Sequence, residues 1–165
     1  VCARLEQRFK DERVKTIGIN FLDYEGPARG FDKILIYSVL NTLTNRDEAL
    51  FFLAKAVSLL APGGRLLIGD IANIDCKKRF LSSEAGKEFQ KAWEAGMARA
   101  AKDVGNAKDA YEAEPDHQVF QPDDAFMASV LSRYRGAGLH SQLLPQPADL
   151  PFGMTREDIL IVSPR

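Results

Sequence analysis

Strand-like patterns of apolar residues recur along the first half of the chain. Residues 14–22 alternate apolar and polar positions and include β-branched side chains, which predicts a strand that the breaker at 25–27 ends. Residues 31–40 are more continuously apolar, as expected for a central strand of a parallel sheet that is covered on both faces. Residues 65–71 predict a third strand. These patterns favour a fold that is built around a sheet.

A helix is predicted between the second and third of these strands. Thr44 or Asn45 can cap its start, and Glu48 can close a capping box from Asn45. Apolar residues then recur at helical spacing until Pro62-Gly63-Gly64, where the helix is expected to end. The strand, helix and strand within 31–71 predict a parallel pair with a right-handed crossover.

Residues 73–122 interrupt this alternation with a charged, helical insertion. One candidate helix, from about residue 83 to 104, presents small residues together with Phe89, Trp93 and Met97 on one face. That face either packs against the sheet or another subunit, which includes a homodimer contact, or covers a ligand pocket.

The rest of the chain predicts one more helix and two strands. Residues 122–124 open a helix with an apolar inner face, and Gly136 and Gly138 end it. Strands at 139–144 and 159–162 are expected to pair antiparallel at a sheet edge.

Composition narrows the class of function. The chain has 165 residues with 23 acidic and 22 basic side chains, which is typical of a single soluble domain over 1–165. No stretch joins basic residues with aromatics, and no apolar run is long enough to span a bilayer, so a small-molecule substrate is expected, without nucleic acid or membrane, in the cytoplasm. Cys2 and Cys76 lack metal-ligand spacing, so no metal site is expected.

A longer pattern resembles a known family. FD before an apolar strand, then VLNTL, an alanine-rich helix and LLAPGGRLLIGD resemble the fourth strand, following helix and fifth strand of class I S-adenosylmethionine-dependent methyltransferases. RGAGL at the end of a helix, a proline-containing loop and the final strand ILIV resemble the end of the same fold.

The resemblance implies an α/β fold with a Rossmann-like sheet, mostly parallel, with an antiparallel C-terminal strand pair. The family's glycine-rich cofactor loop has no counterpart in 1–165, so the sheet is expected to be incomplete at the N-terminus, with further residues before Val1. The implied activity is methyl transfer from S-adenosylmethionine to a small molecule. Without the cofactor loop, residues 1–165 alone need not be active. The alternatives are a non-catalytic methyltransferase-like fragment or partner subunit, and another Rossmann-type nucleotide-binding enzyme.

The resemblance also implies two groups of cofactor-binding residues. Leu22, Asp23 and Tyr24 would surround the adenine, with the Asp23 carboxylate accepting from its amino group; the other interpretation of Asp23 is a residue that stabilises a turn. The second group would lie beside the methionine end and the methyl group, and consists of Tyr37, Ser38 and Asn41. Tyr37 and Ser38 can equally be structural, since polar groups in an apolar run need hydrogen-bond partners.

Other polar residues are weaker candidates. Asp70 either faces the substrate or caps the following segment. A hydroxyl acceptor would need a general base, and His117, at the end of the insertion, is the catalytic candidate, whereas His140 is expected to be structural.

Overall fold

The computed structural model describes residues 13–104, 119–150 and 152–165, together with Arg4 and Arg8. Within these ranges the chain forms an α/β fold with a four-stranded mixed sheet and four helices. The strands are β1 (Phe31–Tyr37), β2 (Leu60–Ile71), β3 (His140–Pro145) and β4 (Glu157–Val162). The helices are α1 (Arg46–Ser58), α2 (Ile74–Ser82), α3 (Glu84–Val104) and α4 (Asp124–Gly136).

The strands follow the order β1-β2-β4-β3 across the sheet. β1 and β2 are parallel and are connected by α1, whereas β4 is antiparallel to both β2 and β3. The predicted parallel pair and the predicted antiparallel pair are therefore confirmed. β4 alone among the described strands runs against the other three, and β1 and β3 form the two edges of the described sheet. The expectation that 31–40 is a central strand covered on both faces is therefore wrong for the described sheet: β1 ends at Tyr37, and Leu35 is 67% exposed.

The start of α1 has the predicted Asn45 cap, but Glu48 bonds back to Thr44 and not to Asn45 as the predicted capping box requires. The Asn45 side chain accepts a hydrogen bond from the Glu48 N–H at 2.9 Å. In return, the Glu48 carboxylate accepts from the N–H and the hydroxyl of Thr44, both at 2.7 Å, and these bonds lower the pKa of Glu48. Local hydrogen bonds therefore fix the first turn of the helix, independently of its packing.

The end of α1 differs from the prediction. The helix ends at Ser58, and Pro62-Gly63-Gly64 lie within β2 as a wide bulge: Phe31 pairs with Leu60, but Lys33 pairs with Arg65. Gly63 has φ +74° and donates to the Pro164 carbonyl, so the turn that these residues encode joins β2 to the C-terminal segment. The sequence marked a turn correctly but placed it at the wrong junction.

The predicted strand at 14–22 is wrong. This segment pairs with no described strand, and a 3₁₀ turn at Phe21–Asp23 closes it. Val14, Ile17 and Ile19 are 45%, 54% and 53% exposed. An alternating pattern creates a strand only when a neighbour supplies the hydrogen-bond ladder, and here none of the described strands does so.

The core is formed where α1 and α4 pack against the sheet. Its fully buried side chains come from both helices and from the two inner strands, and include Leu53, Phe126, Val130, Leu66, Ile68, Ile159 and Ile161. Each such side chain stabilises the fold by roughly 1.5–3 kcal/mol relative to exposure. α4 begins at the Asp123 cap and buries the predicted apolar face, which confirms that helix.

Candidate functional site

A cavity of about 520 Å³ lies beyond the carboxyl ends of β1 and β2. Its floor includes Asn41, which follows β1, and Ala72, which follows β2; α2 and α3 form one wall, and the segments 119–121 and 152–156 form others. In α/β sheets with parallel strands, ligands bind at this end of the strands. The volume is also within the range of about 300–1,000 Å³ that ligand pockets occupy.

Three aromatic rings form one wall of this cavity. The Trp93 ring on α3 lies 4.9 Å from that of Phe152 and 6.5 Å from that of Phe89, and Phe89 lies 6.3 Å from Phe152. Trp93 and Met97 remain 49% and 56% exposed, so this face of α3 is not packed into a closed core. The structure places Phe89 and Trp93 on a cavity wall, as in the ligand-pocket alternative from the sequence.

Phe152 holds its place in this wall at a conformational cost. Its φ is +63°, a left-handed conformation that is unfavourable by roughly 1–2 kcal/mol for a residue with a Cβ. The ring contacts with Trp93 and Phe89 offset this cost. Backbone strain of this kind is concentrated at ligand sites in proteins.

Arg156 supplies the cavity's inner positive charge. Its side chain is 23% exposed, and its guanidinium carbon lies 5.9 Å from the centre of the Phe152 ring. The nearest described carboxylate oxygen, Asp70 Oδ1, is 3.5 Å from Nε, and this buried nitrogen makes no hydrogen bond to any described residue. The ion pair therefore leaves the guanidinium with unused donor capacity.

Ser38 and Asp70 form a corner at the ends of β1 and β2. Both adopt left-handed backbone conformations, with φ +58° and +60°. The Ser38 hydroxyl donates to Asp70 Oδ2 at 2.6 Å, and the Asp70 N–H donates to Asp158 at 3.0 Å. The sequence left two roles open for Asp70, facing the substrate or capping the following segment. In the structure its carboxylate accepts from Ser38 and pairs with Arg156, and Arg156 lines the cavity.

Asn41 fastens the two strand ends together. Its amide nitrogen donates to the Asp70 carbonyl at 2.8 Å, and its side-chain oxygen accepts from the Ala72 N–H at 3.0 Å. Both ends of the side chain are thus engaged by the backbone after β2. Asn41 therefore lines the cavity, but its amide group is bonded to the backbone of Asp70 and Ala72.

Tyr37 lies over Gly69 of the neighbouring strand. A Cβ at Gly69 would come within 2.6 Å of the Tyr37 ring, so the ring uses the space that glycine leaves. The ring is nevertheless 48% exposed. Tyr37 is the last residue of β1, Ser38 follows it, and Asn41 lies in the 3₁₀ turn Leu40–Thr42; of these three described residues, Asn41 lines the cavity, and their binding of a cofactor stays a prediction.

The other predicted group lies elsewhere. Leu22 packs against the core, Asp23 is exposed in the 3₁₀ turn, and the Tyr24 ring lies 6.4 Å from that of Phe31, at the amino end of β1. From Phe31 to Tyr37, β1 spans roughly 20 Å at about 3.3 Å per residue. The structure does not bring the residues 22–24 together with Tyr37.

Sequence reasoning missed Asn73, a buried polar residue at the cavity that makes several hydrogen bonds. Asn73 is fully buried and caps α2 by accepting from the N–H groups of Asp75 and Cys76. Its amide nitrogen donates to Asp124 at 2.7 Å and to Glu157 at 2.6 Å. The signal that was available is local, because an Asn before an acidic first turn is a typical helix start.

An ion pair near Asn73 joins α2 to α4. Arg79 and Asp124 form a hydrogen-bonded ion pair, and the bonds from Arg79 and then Asn73 lower the pKa of Asp124. Burial raises the pKa of the neighbouring Cys76 thiol, whose Sγ lies 3.6 Å from the Met154 carbonyl. The thiol is therefore neutral near pH 7.

The two histidines have different outcomes. His117 lies outside the described residues, so its catalytic role stays a prediction. His140 is exposed at the start of β3 and pairs with Val162 through the sheet. Its position on the edge strand agrees with a structural role.

The described residues contain neither a membrane-spanning helix nor a metal-binding cluster. No helix there is both long and apolar enough to cross a membrane. No group of three or more His, Cys, Asp or Glu side chains within the same part of the chain is placed to hold a metal ion.

Comparisons with known proteins identify relatives of the fold. No family model matches the chain, and no curated protein sequence is significantly similar to it. Among solved structures, the apo form of the S-adenosylmethionine-dependent methyltransferase SibL matches 99% of the chain with a TM-score of 0.58 and 19% identity. The N-methyltransferase NodS from Bradyrhizobium japonicum WM9 matches 99% with a TM-score of 0.54 and 16% identity.

The chain spans 39% of the length of SibL and 67% of that of NodS. At these identities the likeness concerns the fold. The chain therefore has the fold of the matched parts of these two S-adenosylmethionine-dependent methyltransferases, which agrees with the fold that the sequence resemblance implied.

Proposed function

We propose that this chain, which has the fold of S-adenosylmethionine-dependent methyltransferases, takes part in methyl transfer to a small-molecule acceptor bound in the aromatic cavity. The observation that carries the proposal is the position of the cavity, beyond the carboxyl ends of β1 and β2 and under α3. The proposal includes a Rossmann-like sheet, of which the parallel pair β1 and β2 is one part.

S-adenosylmethionine, when bound, supplies a methyl group that its sulfonium already activates. The chemistry of the residues at the end of β1 fits the methionine end of such a cofactor, because Tyr37 and Ser38 present hydroxyl groups there. Tyr37 and Ser38 would hold the methionine end, with Asn41 fixing the floor beneath them. The sequence assigned the adenine to Leu22, Asp23 and Tyr24, but these residues lie at the opposite, amino end of β1, so the structure does not place them around the same cofactor molecule.

The protein's part in such a transfer is mainly alignment and exclusion of water. Holding two reactants in line contributes up to roughly 7–11 kcal/mol to a reaction without any acid or base. The rings of Phe89, Trp93 and Phe152 supply flat apolar surfaces against which an acceptor can be oriented. For a hydroxyl acceptor, His117 is proposed as the general base, and His117→Ala should then alter the pH profile of turnover.

Calorimetric titration of the full-length natural protein with S-adenosylhomocysteine tests the cofactor. We expect saturable binding that Tyr37→Ala weakens and that Phe51→Ala, a substitution of an aromatic residue 63% exposed on α1, leaves unchanged. Asp23→Asn tests the adenine group separately. Binding of a nicotinamide dinucleotide in place of S-adenosylhomocysteine, or of neither, would refute the proposal in favour of the other classes.

A further inference from the structure

We propose that the cavity binds an aromatic molecule that carries a carboxylate, with the ring against the aromatic wall and the carboxylate on Arg156. As an assignment of the methyl acceptor's class it rests on the proposed function. As a ligand site it rests on the geometry of the cavity alone.

The aromatic wall selects the flat part of such a ligand. Trp93 and Phe152 meet at an interplanar angle of 69°, and Phe89 stands at 78° to Phe152, so the three rings offer both faces and edges. Aromatic pairs prefer such edge-to-face and offset arrangements, each contributing roughly 0.5–1.5 kcal/mol beyond burial. A ligand ring can therefore join the cluster without a change in its geometry.

Arg156 selects the charged part. Arg156 is next to the aromatic wall, since the Phe152 ring centre is 5.9 Å from its guanidinium carbon and 4.9 Å from the Trp93 ring. Asp70 leaves the guanidinium incompletely paired, because its Oδ2 accepts from Ser38 and its Oδ1 stays 3.5 Å from Nε. A carboxylate is the group that accepts best from a guanidinium, through two parallel bonds.

The charges around the cavity favour an anion over an amine. The charged side chains among its described lining residues are Arg156, Lys77 and Glu94. Glu94 and Lys77 are exposed and therefore screened by solvent, whereas Arg156 is the inner charge. Asp70 offsets part of this charge but is not among the described lining residues, so an amine beside the rings would meet the Arg156 guanidinium and not the carboxylate.

Trp93 is the only tryptophan in the sequence, so its fluorescence reports on this cavity directly. We would titrate the protein, without cofactor, with three probes that share one ring and chain: 3-phenylpropionate, 3-phenylpropanamide and 3-phenylpropylamine. The expected result is that the carboxylate binds about tenfold or more tightly than the amine, as one charge-assisted hydrogen bond predicts.

The variants separate the charge from the fold. Arg156→Gln should weaken carboxylate binding about tenfold and leave the amide's affinity within about twofold, because the amide uses only the rings. Arg133→Gln, which removes an exposed charge on α4, is the matched control and should change neither. Unchanged amide binding also shows that the Arg156 variant is folded.

Two results would overturn the inference: equal or tighter binding of the amine by the unaltered protein, or carboxylate binding that Arg156→Gln does not weaken while amide binding persists. If S-adenosylhomocysteine fails to bind but 3-phenylpropionate binds as expected, the proposed function falls and the ligand site stands. If S-adenosylhomocysteine binds and 3-phenylpropionate does not, the ligand site falls and the proposed function stands.

Discussion

Replacing Asn41 with alanine tests whether this side chain is a cofactor ligand, as the sequence implied, or the fastening of the cavity floor. The change removes two hydrogen bonds, of 2.8 and 3.0 Å, to the Asp70 carbonyl and the Ala72 N–H. Each of these hydrogen bonds contributes a net of roughly 1 kcal/mol to the free energy of unfolding, and leaving a partly buried backbone group without a partner lowers that free energy further. We expect the free energy of unfolding to fall by about 2–3 kcal/mol.

Urea denaturation followed by circular dichroism measures this loss. Gln121→Ala is the control, because Gln121 is an exposed amide that lines the same cavity, and its loss should change the free energy of unfolding by less than about 0.5 kcal/mol. Asn41→Asp keeps the acceptor for Ala72 but loses the donor to Asp70, so it should also destabilise the fold. A loss below about 0.5 kcal/mol for Asn41→Ala, together with weaker binding of S-adenosylhomocysteine, would refute the fastening role and support the cofactor role.

Three other changes are informative. Asn73→Ala should lower the free energy of unfolding by about 3 kcal/mol in the same assay, since it removes a helix cap and leaves two carboxylates without their shared donor; a loss under about 1 kcal/mol would contradict this. Because Arg79 holds the pKa of Asp124 below its ordinary value, the carboxylate stabilises the fold above about pH 4, and this contribution disappears as the pH falls through the lowered pKa. Asp124→Asn should therefore flatten the acid side of a plot of Tm against pH, whereas an unchanged slope would show that the pair contributes nothing. Gly69→Ala should displace the Tyr37 ring and destabilise the fold by about 1–3 kcal/mol, and Tyr37→Ala in that background should recover part of the loss, so additive effects in the double-mutant cycle would argue against the contact.

Local signals in the sequence predicted the elements that local chemistry determines. The Asn45 cap and the helix start within 122–124 both occur where expected, because the capping bonds of Asn45 and Asp123 join residues only three apart. The strand predicted at 14–22 failed, since a strand depends on a distant partner that no local pattern reports. The turn at 62–64 was recognised, but its placement after α1 instead of within β2 depended on pairing with the C-terminal segment.

Some residues of the candidate site could be found from the sequence, and others only from the folded structure. Parallel strands end on the same side of their sheet, and this rule led from the sequence to Asn41, which lines the cavity, and to Tyr37 and Ser38, which precede it at the end of β1. Arg156 and Phe152 were missed because they belong to a loop near the end of the chain, and only the folded structure places them opposite α3. No spacing in the sequence encodes that proximity.

The place of β4 in the sheet has a consequence for how the molecule folds. β4 pairs with β2 through contacts such as Leu66 with Ile161, which are far apart in sequence, and it separates β2 from β3. During synthesis, β1, α1 and β2 leave the ribosome long before β4 is made, so β2 presents an apolar, unpaired side throughout that interval. Pairings between such distant segments form slowly because a long loop must first close. The nascent chain is therefore most vulnerable to chaperone capture or to wrong pairing in the time between the synthesis of β2 and that of β4.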